Sequence, residues 1–120
     1  MIRLTDTGLA QLKVSAVVRA ADEHLEPVGP ASEALDREGG ESLRLLRRVL
    51  SPLDVGSAVI TGGGNLAAEF VLHIVIQGEQ RAASRDTVRR ALTSAWHRAE
   101  GWQLTHVAAP LSGLGGATLT

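Results

Sequence analysis

The segment Phe70–Gln77 constrains the fold more than any other part of the sequence. Nearly all of its positions are apolar and several are β-branched, so it does not alternate between a solvated face and a buried face. A strand with this pattern is covered on both sides, as the central strands of α/β sheets are. The segment therefore predicts a layered α/β protein with a buried sheet.

Shorter strand patterns alternate with helical patterns along the rest of the chain, as expected for such a sheet. Further strands are predicted over Val14–Val18, Gly56–Thr61 and Leu104–Ala108. A tight turn is predicted at Gly62–Asn65, because glycine and asparagine accept positive φ. No internal repeat or low-complexity linker interrupts the pattern. One domain over residues 1–120 is the simplest expectation.

The predicted helices carry recognisable start and stop signals. The first, Ala31–Glu38, follows Pro30, whose missing N–H is harmless in a first turn. The longest, Arg85–Glu100, has Ser84 as a candidate N-cap and places Trp96 on its apolar stripe. An amphipathic helix over Glu41–Leu50 lies between them and is expected to end before Pro52.

The charge and cysteine content excludes several classes of function. The chain has twelve Lys and Arg residues and thirteen Asp and Glu residues, which gives a net charge of −1. This balance argues against a dedicated nucleic-acid surface, which normally carries a basic excess. The chain has no cysteine, so disulfides, thiolate nucleophiles and zinc–thiolate sites are excluded. No segment has the pattern of a signal peptide or a membrane span, which predicts a cytoplasmic protein without a membrane partner.

The segment Gly56–Leu66, reading GSAVITGGGNL, is similar to the GEAVVTGAGNL type of segment found in macro domains. It leads into Phe70–His73, which resembles the YVIH that follows there, and the long helix and Leu104–Pro110 match in order and spacing. The chain thus resembles the macro domain family, which binds ADP-ribose. The resemblance implies a three-layer α/β/α sandwich with a mixed central sheet. It also implies truncation at the C-terminal end, where the family normally continues beyond the position of Thr120.

The resemblance implies a ligand site at the carboxyl ends of the strands. In the family, asparagines of an NAAN-type motif contact the distal ribose, and two glycine-rich loops hold the diphosphate through backbone N–H groups. Here the NAAN position reads Arg19-Ala20-Ala21-Asp22, and the first loop, Pro27–Pro30, keeps only one glycine. The ligand-binding candidates that the resemblance implies are Asp22, Gly29, Ser112, Gly113, Leu114, Gly115 and Gly116.

These replacements predict a degenerate ADP-ribose site, because proline removes a backbone donor and valine hinders close approach. The favoured interpretation is a non-catalytic module for binding or assembly, with no catalytic residue, no cofactor and no metal site. Two alternatives stay open. One is a functional binder of ADP-ribose or a related nucleotide through Ser112–Gly116, and the other is an ADP-ribosyl hydrolase.

Two histidines and one sheet edge complete the predictions. His73, within the apolar strand, is expected to be a hydrogen-bonded structural histidine. His24 lies near Asp22 and Glu26 in the sequence, which is the only weak indication of a metal or acid–base cluster. A missing terminal strand would leave an exposed sheet edge, which predicts a homo-oligomer or a partner chain.

Overall fold

The structure is a computed structural model that describes residues 11–41, 45, 49–50 and 52–110. Within these residues the chain forms four strands and two complete helices. Most of the predicted helix Glu41–Leu50 lies outside the described residues, as do Ser112, Gly113, Leu114, Gly115 and Gly116. In chain order the elements are β1 (Ala16–Asp22), α1 (Pro30–Gly39), β2 (Ala58–Gly62), β3 (Phe70–Gln77), α2 (Arg85–Gly101) and β4 (Val107–Ala108).

The strands form one mixed sheet in the order β2-β3-β1-β4. Strand β1 pairs in parallel with β3 and with β4, whereas β2 pairs antiparallel with β3. The segment that opened the sequence analysis is thus a central strand, and its residues 71–76 are buried. The predicted α/β class and mixed central sheet are confirmed.

The helices cover opposite faces of this sheet. On one face, Val88, Ala91 and Ala95 of α2 pack against Val18 and Ile74. On the other face, Leu35 of α1 packs with Val17 and Val71. Burying one Val, Leu or Ile side chain contributes about 1.5–3 kcal/mol, so both layers hold the sheet in place.

Helix α2 begins as its sequence predicts. Ser84 accepts a hydrogen bond from the Thr87 N–H at 3.1 Å, and the Thr87 hydroxyl accepts one from the Ser84 N–H at 2.9 Å. This reciprocal capping box satisfies two backbone donors at the helix start. Trp96, which the sequence places on the apolar stripe of this helix, is not a core residue, because 42% of it is exposed.

The boundaries of two strands differ from those predicted. Strand β1 runs on to Asp22 instead of ending at Val18, because Arg19 is buried and paired and does not mark the strand's exposed end. The last strand keeps only Val107–Ala108 of its predicted length. Among the described residues, no helix is long and apolar enough to cross a membrane.

Candidate functional site

Three parallel strands direct the chain out of the sheet at one edge. Strands β1, β3 and β4 run in the same direction, so the segments that follow Asp22, Gln77 and Ala108 start from this carboxyl edge. Open α/β sheets bind their ligands at this edge. Asp22 and Gly29 belong to the segment that leaves β1, and Ser112–Gly116 follows β4 in the sequence.

Arg19 is directed into the protein, where it bonds α1 and the turn that follows β1. It is 2% exposed, and its Nε and Nη2 atoms donate to the two carboxylate oxygens of Asp36 at 2.7 and 3.1 Å. Nη2 also donates to the Leu25 carbonyl oxygen at 2.6 Å. A buried guanidinium needs such partners because desolvation is costly for an unpaired charge. The guanidinium of Arg19 is therefore engaged by groups of the protein itself.

Asp36, the partner of Arg19, was missed by the sequence reasoning although a signal was present. The buried residues of α1 are Ser32, Leu35, Asp36 and Gly39, which recur at helical spacing on one face. A carboxylate on the buried face of an amphipathic helix requires a basic or hydrogen-bonding partner. That requirement pointed to a buried cation, and Arg19 is the cation in the adjacent strand.

His73 is the hydrogen-bonded structural histidine that its sequence context predicts. It is 3% exposed, its Nδ1 lies 3.3 Å from Nη1 of Arg19, and its Nε2 lies 2.7 Å from the Thr61 hydroxyl. Because arginine only donates, Nδ1 must accept, and the proton of the neutral ring sits on Nε2. Nε2 then donates to Thr61 and cannot remove its proton. The Thr61–His73 pair is thus not a nucleophile with its general base.

Asp22 builds the turn that follows β1. Its Oδ1 accepts hydrogen bonds from the backbone N–H groups of His24 at 2.8 Å and Glu26 at 3.0 Å. The Asp22 N–H donates to the Glu26 carbonyl at 3.0 Å, which closes the same turn. Leu25 inside it has φ 62°, an unusual value for a residue with a branched side chain. The aspartate therefore shapes its own loop.

The loop Pro27–Pro30 offers few free backbone donors. Both prolines lack an N–H, and the Val28 N–H donates to the Ala20 carbonyl at 3.0 Å. The remaining N–H, that of Gly29, has no hydrogen-bond partner among the described residues. Gly29 has φ 92° and precedes α1 as its N-cap, so its conformation suits glycine.

His24 does not meet the side chains that its sequence neighbours suggested. Its backbone N–H bonds Asp22, but its ring lies beside Glu23, with Nε2 3.8 Å from Oε1. Among the described residues, the side chains of Glu23, His24 and Glu79 come together, with one potential ligand atom of each within 4.8 Å of the others. Sequence spacing hid this group because Glu79 comes from the end of β3.

Comparison with known proteins agrees with this architecture. A family model for the macro domain matches residues 18–119, which is most of the chain. The chain belongs to the macro domain family. The expectation drawn from Gly56–Leu66 and Phe70–His73 is thereby confirmed.

Two individual relatives match more than half of this chain. A macro domain-containing protein of Caldanaerobacter subterraneus is 36% identical over 62% of this chain and 45% of its own length. A protein of Pantoea vagans called O-acetyl-ADP-ribose deacetylase 1 is 37% identical over 62% of this chain and 46% of its own length. The chain thus spans about half the length of these relatives.

Solved macro domain structures share the fold. The Trypanosoma brucei macrodomain in complex with ADP-ribose superposes with a TM-score of 0.76 at 24% identity, over 92% of this chain and 47% of that one. The Oceanobacillus iheyensis macrodomain with ADP gives a TM-score of 0.73 at 18% identity, over 88% of this chain and 60% of that one. At these identities the likeness establishes the fold alone.

Proposed function

We propose that residues 1–120 form one non-catalytic macro domain with a degenerate ADP-ribose site, acting as a binding or assembly module. The observation that carries the proposal is the burial of Arg19. It occupies the position where the family resemblance expects a ribose-binding asparagine, yet it is 2% exposed and bound to Asp36. Its donors serve the protein interior and are not available to a ligand. The predicted cytoplasmic location rests on the sequence alone.

The hydrogen bonds of the loop after β1 support the proposal. A diphosphate is held by converging backbone N–H groups that no side chain obstructs. In Pro27–Pro30 two such groups are missing and a third already bonds Ala20, which leaves Gly29. A single N–H donor supplies only a small part of the hydrogen bonding that a full glycine-rich loop gives to a diphosphate.

The chemistry of Asp22 points the same way. An asparagine both donates and accepts hydrogen bonds, whereas an ionised aspartate only accepts. Asp22 is at the edge where a ligand with two negative charges would lie, so its charge opposes binding. Its Oδ1 is also engaged by the N–H groups of His24 and Glu26. Asp22 is therefore an unfavourable replacement for a ribose-binding asparagine.

The proposal is tested by calorimetry with ADP-ribose and by an assay for release of ADP-ribose from a modified protein. We expect no hydrolysis and no saturable heat below millimolar ligand. The Trypanosoma brucei macrodomain, whose structure holds ADP-ribose, is a suitable positive control for binding. Stoichiometric binding at micromolar ligand, or hydrolysis lost in Asp22→Ala, would overturn the proposal.

A functional ADP-ribose site is the second candidate, and the geometry of Gly29 favours it. Its N–H has no partner among the described residues and it precedes α1, where backbone donors and the helix dipole suit anions. If heat is observed, Gly29→Ala should abolish it. Gly56→Ala is the matched control, because Gly56 also has positive φ, at 95°, and lies at the start of the β2 hairpin.

The assembly role concerns the outer edge of β4. Within the described part of the chain, β4 pairs only with β1 and is the last strand on that side. At the opposite side, the Ala58 carbonyl of β2 accepts a hydrogen bond from Nε of Arg98 at 3.2 Å, so that edge is partly covered. A second copy pairing at β4 would give a dimer. Light scattering that shows a monomer at high concentration would contradict this role.

A further inference from the structure

We propose that Glu23, His24 and Glu79 form a binding site for a divalent transition-metal ion of the Zn²⁺ type. One ligand atom from each side chain lies within 4.8 Å of the other two. Two carboxylate oxygens and one imidazole nitrogen are a donor set that zinc accepts, with water completing the coordination. The inference does not depend on whether ADP-ribose binds.

The position of the group in the fold favours a ligand. Strand β1 leads into α1 on one face of the sheet, and β3 leads into α2 on the other face. The connections after two neighbouring parallel strands therefore diverge, and a crevice at such a point is where open α/β sheets bind ligands. Glu23 and His24 follow β1, and Glu79 follows β3, so the three side chains meet across this divergence.

The backbone holds Glu23 in place. Its Oε1 accepts a hydrogen bond from the Glu79 N–H at 3.1 Å. The carboxylate also rests over Gly78, where an added Cβ would approach Oε2 at 2.8 Å. A side chain at position 78 would therefore displace this carboxylate. One carboxylate is thus held between the two connections, while half-exposed His24 and exposed Glu79 keep rotational freedom to close on an ion.

The charges in the group are not balanced by basic side chains. Among the described residues, neither Glu23 nor Glu79 has an arginine or lysine within 4.0 Å, and Glu23 meets only His24 at 3.8 Å. Arg81 is two residues from Glu79 but extends to Asp86, with Nη2 3.1 Å from Oδ2. A cation bound between the carboxylates would supply the missing positive charge.

The distances require only a small adjustment. In a tetrahedral site with bonds of about 2.1 Å, the ligand atoms stand roughly 3.4 Å apart. Contracting the present spacing by about 1–1.5 Å needs rotation of the two exposed side chains and no backbone movement. Magnesium demands near-octahedral oxygen ligands and gains little from an imidazole, so the site should favour Zn²⁺ over Mg²⁺.

The test is calorimetry of the whole chain with Zn²⁺ and with Mg²⁺. We expect one equivalent of Zn²⁺, weakened at least about tenfold by His24→Ala and by Glu79→Gln, as for loss of a ligand or its support. His97→Ala and Glu100→Gln, which alter exposed residues of α2, are matched controls and should leave the affinity unchanged.

Three results would overturn the proposal. They are absence of Zn²⁺ binding, equal affinity in His24→Ala and the wild type, and Mg²⁺ binding as tight as that of Zn²⁺. Circular dichroism checks that the variants are folded. A second readout uses only the wild-type protein: the imidazole resonances of His24 should shift on adding Zn²⁺, while those of His97 and His106 stay in place.

Discussion

Removing the Asp36 carboxylate should destabilise the protein far more than removing an exposed one. Asp36→Ala deletes both oxygens that Arg19 bonds at 2.7 and 3.1 Å and leaves a guanidinium that is 2% exposed. Removing one partner of a buried ion pair costs about 3–5 kcal/mol. Because the Asp36 side chain is 11% exposed, water can partly compensate, which favours the lower end, about 3 kcal/mol.

Asp86 provides the matched comparison, since three arginines lie within 4.0 Å of its carboxylate. Arg81, Arg89 and Arg90 approach it at 3.1, 3.1 and 3.9 Å, but its side chain is 48% exposed. Surface pairs contribute about 0–1 kcal/mol, so Asp86→Ala should cost at most about 1 kcal/mol. The larger number of partners is thus expected to matter less than burial.

Urea denaturation followed by circular dichroism measures both effects. With a slope of about 1–3 kcal/mol/M, a loss of 3 kcal/mol lowers the midpoint by about 1–3 M. The total free energy of unfolding of a domain is about 5–15 kcal/mol, so Asp36→Ala should remain measurable near neutral pH.

A double-mutant cycle isolates the pair itself. Asp36→Leu combined with Arg19→Met removes both charges and keeps apolar volume, so the double variant should be more stable than the sum of the single changes predicts. Additive effects within about 0.5 kcal/mol would refute the reasoning that burial of an unpaired charge dominates. An Asp86→Ala cost equal to that of Asp36→Ala would refute it as well.

Three further changes test the turn and helix geometry. In a thermal scan, Gly63→Ala should lower the unfolding midpoint, because its Cβ would lie 2.2 Å from the Ala68 carbonyl oxygen. The Cβ of Gly62→Ala meets nothing within 4 Å, so that variant should leave the midpoint unchanged. Ser84→Ala should cost about 1 kcal/mol by removing the cap of α2, and Ser84→Asp should retain most of that stability in urea titrations. Asp22→Ala should speed hydrogen exchange at the His24 and Glu26 amides, which lose their acceptor, while Asp22→Asn should leave that exchange slow.

The sequence predicted the central strand and the long helix well, because the spacing of apolar residues within a segment indicates both its secondary structure and its buried side. Phe70–Gln77 is continuous in its apolar character, and it forms the central strand over the same residues. Helix α2 was marked by Ser84 and by an apolar stripe; Ser84 is its N-cap, and Val88 and Ala95 are buried. In these segments one physical requirement, burial of a face, decides the outcome.

For the candidate site, the structure bears only on where the described candidate residues lie in the fold. Asp22 and Gly29 lie at the carboxyl edge as the resemblance implied, and Ser112–Gly116 is outside the described residues. Asp22 bonds backbone amides only two and four residues further along the chain, whereas the inward direction of Arg19 depends on Asp36, which is 17 residues away. The exposure of Trp96 has a related reason. A residue on the apolar stripe of a helix is buried only where another element covers it.

Under the proposed function, the burial of Arg19 also explains why replacing this one residue by asparagine should not create a ligand site. Arg19 links β1 to α1 through its ion pair with Asp36, and it donates to the Leu25 carbonyl. It therefore stabilises the same turn that Asp22 stabilises through its own hydrogen bonds. Arg19→Asn would supply an amide at the ribose position but would leave Asp36 without its cation and Leu25 without its donor. The side chains of Arg19, Asp36 and Asp22 thus all take part in hydrogen bonds that stabilise the turn after β1 and the position of α1. Under the proposed function, we expect that a ligand site returns only when Arg19, Asp36 and Asp22 are changed together.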